Sequence, residues 1–405
     1  MSKAWRARAA AACLLLLLPA LAAAAAAPAS EASRWEPAIR AAERDLCGRQ
    51  VALLGENGFH GDGKTVAFKA ELVRRLVTRC GFRAVFFEAS HYDFIAVQRA
   101  VRRREPVTEA MVASAIGRIW NRDRELAPLI PFLAREAQAG RVVLGGLDDQ
   151  LGSAGAFYSL EAMPVELAAA LPPPRREPCR AALRQRIWFD YSVASPHDAA
   201  SLSRLRACFG DMAAAHASAT ADRASRAEYR QMLLSAGRAI ERDFFGPKAL
   251  IAGRDRSMYL NFRWLAARLP PGSKIVVWAA NPHVARDAAA AADYTAGASL
   301  GAFLHREYGR RSFALGFSAA SGAFGRAGGT ATPIPRSAPD SVEGMLAADN
   351  SAEAVYAGPA RLAALGRRPA SLFDHGKAVL ARWADLFDGI VTFRSERPPE
   401  PIPSR

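Results

Sequence analysis

Three short segments set histidine beside carboxylate at what read as the ends of apolar β runs. GENGFHG places Glu56 and His60 in a glycine-flanked turn directly after residues 51–54. FFEASHYD groups Glu88, His91 and Asp93 after 84–87, and VVWAANPHVAR sets Asn281 and His283 just beyond Trp278. A histidine beside a carboxylate can take a proton from water while the carboxylate fixes its tautomer and stabilises the imidazolium. Two glutamates in one crevice repel each other, which raises one pKa and prepares an acid/base pair. The same residue types can ligate a divalent metal, although no HExxH or comparable spacing marks such a site. A different chemistry is suggested by Gly297-Ala298-Ser299-Leu300-Gly301, which has the GxSxG form of a nucleophile elbow. Its context is wrong, because 291–296 is no β run, and Ser299 reads better as the N-cap of a helix over 300–308.

For these clusters to meet, their strands must share one sheet. Apolar runs at 51–54, 84–87, 142–147, 275–278, 313–317 and 390–393 alternate with longer amphipathic stretches. Between the first two, Val66, Leu72, Val73, Leu76 and Val77 recur at helical spacing; Ile95, Val112, Ile116, Ile119, Leu126, Ile130 and Leu133 predict two or three helices before the third. Near-continuous apolar strands separated by helices define an α/β fold, a central parallel or mixed sheet covered by helices on both faces. Loops at the carboxyl ends of such strands line the ligand crevice, so the three clusters converge on one edge, joined by Asp148 and Asp149. Residues 153–245 break the rhythm: Ala- and Arg-rich, without a clear strand, they read as a helical insertion over one end of the sheet, either a lid or a structural subdomain. Residues 318–341 read as a long loop and 397–405 as a disordered tail. His197, His216, His305 and His375 read as surface or structural.

Lys3, Arg6 and Arg8, an apolar core at 13–18 and small residues at 22–27 have the layout of a cleaved signal peptide over 1–27, the alternative being an uncleaved anchor, against which the short apolar core argues. The α/β domain is then 28–396, periplasmic or secreted. No later stretch approaches the roughly 20 apolar residues of a membrane span, so the chain does not read as an integral membrane protein. The formal net charge of +15 becomes about +12 without the leader. The excess is scattered arginine with no aromatic-interleaved basic stripe, which argues against nucleic acid and reads as a solvated basic surface; no sign of oligomeric state is legible. Cys47, Cys80, Cys179 and Cys208 remain, an even number that predicts two disulfides with three possible pairings. If 51–54 and 84–87 are neighbouring parallel strands, Cys47 and Cys80 meet at one end of the sheet, and Cys179–Cys208 clips the insertion. The absence of CxxC excludes zinc-ribbon and thioredoxin-like readings.

GENGFHG, FFEASHYD and VVWAANPHVAR resemble the three signature segments of the erythromycin esterase family. RDRSMYLNFRWLA (254–266) is similar to the helix before the family's WAxNxH strand, and SLGAFLHREYGRRSFALGF (299–317), followed by SGAF, to the segment after it. DSVEGML (340–346) and LFDGIVTF (386–393) resemble its closing elements. The resemblance covers nearly all of the chain beyond the leader except the insertion. It implies a hydrolase, metal-independent or weakly metal-linked and with no cofactor expected, that cleaves an ester or lactone of a small-molecule substrate; in it His60 activates water, Glu56 orients His60, and Glu88 supports the water or transition state. It further implies that His283 and Asn281 face the substrate carbonyl. Asn281, Trp278 and Arg254 are read as substrate-binding, and so is His91, which is not a usual residue of the family and enters only by its place at a strand end. The chain departs from the family at Ala280, where WAHNxH has its first histidine; His91 is the candidate to supply the missing imidazole. Related folds include metal-dependent peptidases and haem-binding lipoproteins. The alternatives are therefore a divalent-metal hydrolase using His60, Glu56, Glu88 and His91 or His283, and a non-catalytic envelope binder of a ligand such as haem.

Overall fold

In the computed structural model, residues 34–152, 158–187, 198–218, 222–245, 250–287, 298–348 and 352–403 are described. The expected leader, His197 and the stretch 291–296 lie outside them. The strands are β1 (Val51–Leu54), β2 (Phe82–Ser90), β3 (Val143–Asp148), β4 (Lys274–Trp278), β5 (Ser312–Ala319), β6 (Gly322–Phe324), β7 (Thr332–Ile334), β8 (Ala354–Ala357), β9 (Arg367–Asp374), β10 (Lys377–Arg382) and β11 (Gly389–Phe393). Seven form one sheet in the order β3-β2-β4-β1-β5-β11-β8. All neighbours are parallel except β8, which runs antiparallel to β11 at the edge. The fold is thus α/β with a mixed sheet. Every apolar run read as a strand is one of the seven; β8 was not anticipated, because four residues of AVYA carry too little pattern to stand out.

Alternation along the strands divides the core. Ala52, Leu54, Val276, Trp278, Leu315 and Phe317 face a layer that includes the helices Glu36–Cys47, Gly63–Cys80 and Leu129–Gln138. Val51, Leu53, Ile275, Val277 and Ala314 face the opposite layer, which includes Leu250–Ala266, Leu300–Tyr308 and the β9–β10 hairpin. Both faces are covered, which is why these strands read as continuous hydrophobic runs rather than alternating ones.

Both disulfides form, Cys47–Cys80 and Cys179–Cys208. The reason differs from the one expected: β1 and β2 are not neighbours, since β4 lies between them. The cysteines meet because the helices Glu36–Cys47 and Gly63–Cys80 pack together and end at the same level. Lys274, the first residue of β4, donates to the Cys47 and Cys80 carbonyls at 2.6 and 2.9 Å, a cation placed on two helix C-termini.

The insertion contains the helices Met163–Ala169, Pro173–Ile187, Ala199–Ser218 and Arg223–Ile240 around its own apolar core, which includes Met163, Leu183, Met212 and Met232. Fully buried Glu228 docks it, accepting from Arg99 at 2.9 Å and from Arg102 of the helix His91–Arg103. Residues 318–341 are more ordered than a loop, because β6 and β7 pair as a short ribbon. The tail also departs from expectation. The Arg397 carbonyl accepts from Gly63 N, the Glu400 carbonyl from Arg124 N, and Ile402 N donates to the Arg122 carbonyl. The extended backbone of the proline-rich tail offers the Arg397 and Glu400 carbonyls to amides of the body, and Ile402, which is not a proline, supplies one donor in return. Among the described residues no helix is long and apolar enough to cross a membrane.

Candidate functional site

Four adjacent strands bring their carboxyl ends to one crevice: β3 with Asp148, β2 with Glu88, β4 with the turn 279–283, and β1 with Glu56 and His60. The turn after β1 is tightly built. A Cβ on Gly55 would lie 2.0 Å from Asn281 Oδ1, so only glycine lets the chain pass. His60 has φ 53°, the left-handed region, which costs a non-glycine residue about 1–2 kcal/mol. Neighbouring bonds hold it there: His60 N donates to the Asn57 carbonyl, and Gly325 N donates to that of Gly61. Strain of this kind concentrates where a side chain must be aimed.

The aim is at Glu56. His60 Nδ1 lies 2.6 Å from Glu56 Oε1, which fixes the tautomer with the proton on Nδ1 and leaves Nε2 as the acceptor. Nε2 faces Glu88 Oε1 at 3.9 Å, too far for a direct hydrogen bond. Trp120 Nε1 also donates to Glu56 Oε1, at 2.7 Å, and Lys69 Nζ to Oε2 at 2.8 Å. Burial alone would raise the Glu56 pKa, but Lys69 and His60 more than offset it and the carboxyl is held below its usual value. Burial lowers the Lys69 ammonium to about 8 despite Glu56.

The second half of the site centres on Glu88. Its Oε2 accepts from Ala280 N at 2.8 Å and its Oε1 from Arg254 Nη2 at 2.7 Å, while His283 Nε2 stands 3.2 Å from Oε1. Burial opposes ionisation here too, but His283 and Arg254 carry the Glu88 pKa well below normal. Arg254 simultaneously forks onto Asp148. His283 Nδ1 is 3.0 Å from both oxygens of Asp255. Burial pulls its imidazole down, but Asp255 and Glu88 prevail and raise its pKa to about 10. Arg254 Nη1 lies 2.9 Å from the same Nε2. That nitrogen therefore donates to Glu88 when the ring is charged and accepts from Arg254 when it is neutral.

Glu56, His60, Glu88, His283 and Arg254 are thus brought together. The other expected members are not. Asn281 is fully buried and its amide is consumed by backbone: Nδ2 donates to the Phe317 and Leu372 carbonyls at 2.7 Å each, and Oδ1 accepts from Phe317 N. It clips β4 to β5 and β9 instead of facing a substrate carbonyl. Trp278 is fully buried beneath the site, its ring 4.1 Å from Lys69 Nζ and packed on Trp120. His91 turns to the Gly146 carbonyl at 2.9 Å and packs edge-on to Trp264, so it does not supply the imidazole that Ala280 lacks. Burial lowers its pKa to about 4. Ser299 caps the helix Leu300–Tyr308 by accepting from Ala302 N and donates its own proton to the Ala285 carbonyl. His375 and His216 prove buried rather than superficial, bonded to Asp62 and to the Leu167 carbonyl.

Three members were missed. Lys69 left a trace, since it interrupts the apolar stripe of its helix at a core-facing position. Asp255 and Trp120 left none, because one sits in an ordinary charged stretch and the other between elements. Every oxygen of Glu56, Glu88, Asp148 and Asp255 lies within reach of at least one nitrogen donor, an arrangement of paired charges.

Fold and site together define an α/β protein with a buried carboxylate–histidine crevice at the carboxyl edge of its sheet. The sequence model of the family described as erythromycin esterase matches residues 77–395, and the chain belongs to that family, a hydrolase of ester bonds. The match begins beyond Glu56 and His60, so that pair rests on geometry. Among solved structures the chain is similar to a Bacillus cereus protein (15% identity, TM-score 0.71, covering 90% of this chain and 93% of that one). It is also similar to a succinoglycan biosynthesis protein (15%, 0.67, 89% and 92%). A third is a mutant of the erythromycin esterase EreC in its open conformation (16%, 0.64, 87% and 93%). At these identities the likeness is one of fold. No curated protein matches the chain.

Proposed function

We propose that the chain hydrolyses a carboxylic ester or lactone with water activated by His60. The observation that carries this reading is the 2.6 Å Glu56–His60 pair, whose free Nε2 faces Glu88 across 3.9 Å, a gap that one water can bridge. Nε2 takes a proton from that water, the oxygen bonds to the carbonyl carbon, and Glu56 stabilises the resulting imidazolium. Arg254 stands beside the same carboxylate and can donate from Nη1 to the developing oxyanion, while the charged His283, whose two N–H groups are taken by Asp255 and Glu88, contributes its positive charge. Collapse breaks the acyl C–O bond, and His60 returns the proton to the leaving alkoxide.

Export through removal of residues 1–27 belongs to the same reading. It is supported by the two disulfides, which persist in oxidising compartments. The helical insertion, which sends Arg242 to Asp149 beside Asp148, serves as the element that shapes substrate access.

The test is turnover of a panel of aryl esters and macrolide lactones by the purified protein. Steady turnover without an initial burst, unaffected by chelator and by Ser299→Ala, is expected of direct water attack. A burst, or abolition by chelator, would contradict it. Tight binding of haem with no turnover anywhere on the panel would favour the non-catalytic reading instead.

A further inference from the structure

Beside His60 the protein contains a cavity of about 320 Å³ lined by Arg118, Ile119, Arg122, Asp123, Arg326 and Ala327. Three of these six side chains are guanidinium groups. Arg118 and Arg122 are exposed and form no ion pair among the described residues. The neighbouring carboxylates are already engaged, Glu125 with Arg397 and Glu400 with Arg124. Arg326 is tied to the candidate base itself, donating from Nη1 to the His60 carbonyl at 3.3 Å. The fourth polar group is unusual. Asp123 is 2% exposed, and its Oδ2 has no hydrogen-bond partner among the described residues. Burial, then Glu56 and Glu125, push its pKa up to about 8, so at neutral pH it carries a proton and can donate rather than repel.

A buried polar atom without a partner is costly unless a ligand satisfies it. Guanidinium groups match the planar, bidentate geometry of carboxylate and phosphate oxygens. We propose that this cavity is a subsite for an anionic group, a carboxylate or phosphate, carried by the ester substrate and held by Arg118, Arg122, Arg326 and Asp123. The inference rests on the esterase reading for its adjacency to the reaction, but not for its binding. A cationic substrate group placed there would face three like charges.

Binding is tested by calorimetry on the full chain with glutarate and inorganic phosphate as probes, the stronger of the two naming the oxyanion. At least one is expected to bind at a single site, and to bind equally to His60→Ala. Arg118→Ala and Arg122→Ala together should weaken it by about tenfold or more, and added salt should weaken it further. Both arginines are exposed, so this variant should melt as the wild type does. In turnover, an aryl glutarate monoester should be preferred over the matching aryl butyrate, and the double variant should erase that preference. Failure of both probes to bind, or unchanged binding by the double variant, overturns the subsite whatever the hydrolysis assay shows. Binding that persists while His60→Ala hydrolyses normally keeps the subsite and overturns His60 as the base.

Discussion

Glu56 sits in the interior as a carboxylate because Lys69 sits there too. Neither charge is tolerable alone at such burial, and each is bonded to the other at 2.8 Å. Removing one member of a buried pair leaves the other uncompensated, at a cost of about 3–5 kcal/mol. Lys69→Met should therefore lower unfolding free energy by about that amount in denaturant titrations, and Glu56→Gln in the same chain should restore part of it. A Lys69→Met protein as stable as wild type would contradict the pairing. Asp123 behaves in the opposite sense. Its folded-state pKa is raised from 3.8 to about 8, so between those values the native state holds a proton that the unfolded chain has released. Stability falls as pH rises through that window. Asp123→Asn cannot lose a proton, so its Tm should decline less than wild type between pH 5 and pH 8; parallel Tm curves would contradict the shift.

At the scale of elements, the site depends on helices meeting strands at fixed levels. The Cys47–Cys80 bond joins two helix ends just upstream of β1 and β2, across 33 residues. Closing a loop of that length stabilises by about 3–4 kcal/mol in the chain-entropy account. The Cys47→Ala, Cys80→Ala double variant should lose that much in equilibrium unfolding, and a loss below about 1 kcal/mol would point to a strongly structured unfolded chain. Strands were the most legible elements, because burial on both faces writes them as uninterrupted apolar runs. Strand order was not: apolar runs carry no record of partners, and the insertion of β4 between β1 and β2 became visible only in the fold. The β9–β10 hairpin escaped because RRPASLFD mixes polar and apolar residues like a loop. Of the site, the residues that end strands were legible. Asp255 and Trp120 act from a helix and a connecting segment whose local pattern is ordinary. Asn281 was misread because the sequence shows an amide near the site but not the carbonyls of Phe317 and Leu372 that consume it.

Across the whole molecule, the helical insertion is joined to the body by charge as well as by apolar packing. Glu228, fully buried, lies on Arg99 and Arg102 of the helix after β2 and within 3.5 Å of Arg268. Glu228→Gln removes the charge that three arginines share, and the insertion should open before the body unfolds. Limited proteolysis should then cut within 153–245 faster than in wild type, while the far-UV melting midpoint of the body moves little; unchanged cleavage would show that apolar contacts alone hold it. The same four-strand edge that gathers Asp148, Glu88, His283 and His60 lies beside the insertion, and the account of function rests on that convergence. The claim at its centre is that His60 Nε2 removes the proton from water with Glu56 behind it. The most direct measurement is kcat for the best ester of the panel, compared between wild type and His60→Asn. The account predicts a loss of about a hundredfold to ten-thousandfold, the usual contribution of a positioned general base, with KM little changed and the fold intact by its melting curve. A His60→Asn protein that retains wild-type kcat would contradict it and move the chemistry to another group in the crevice.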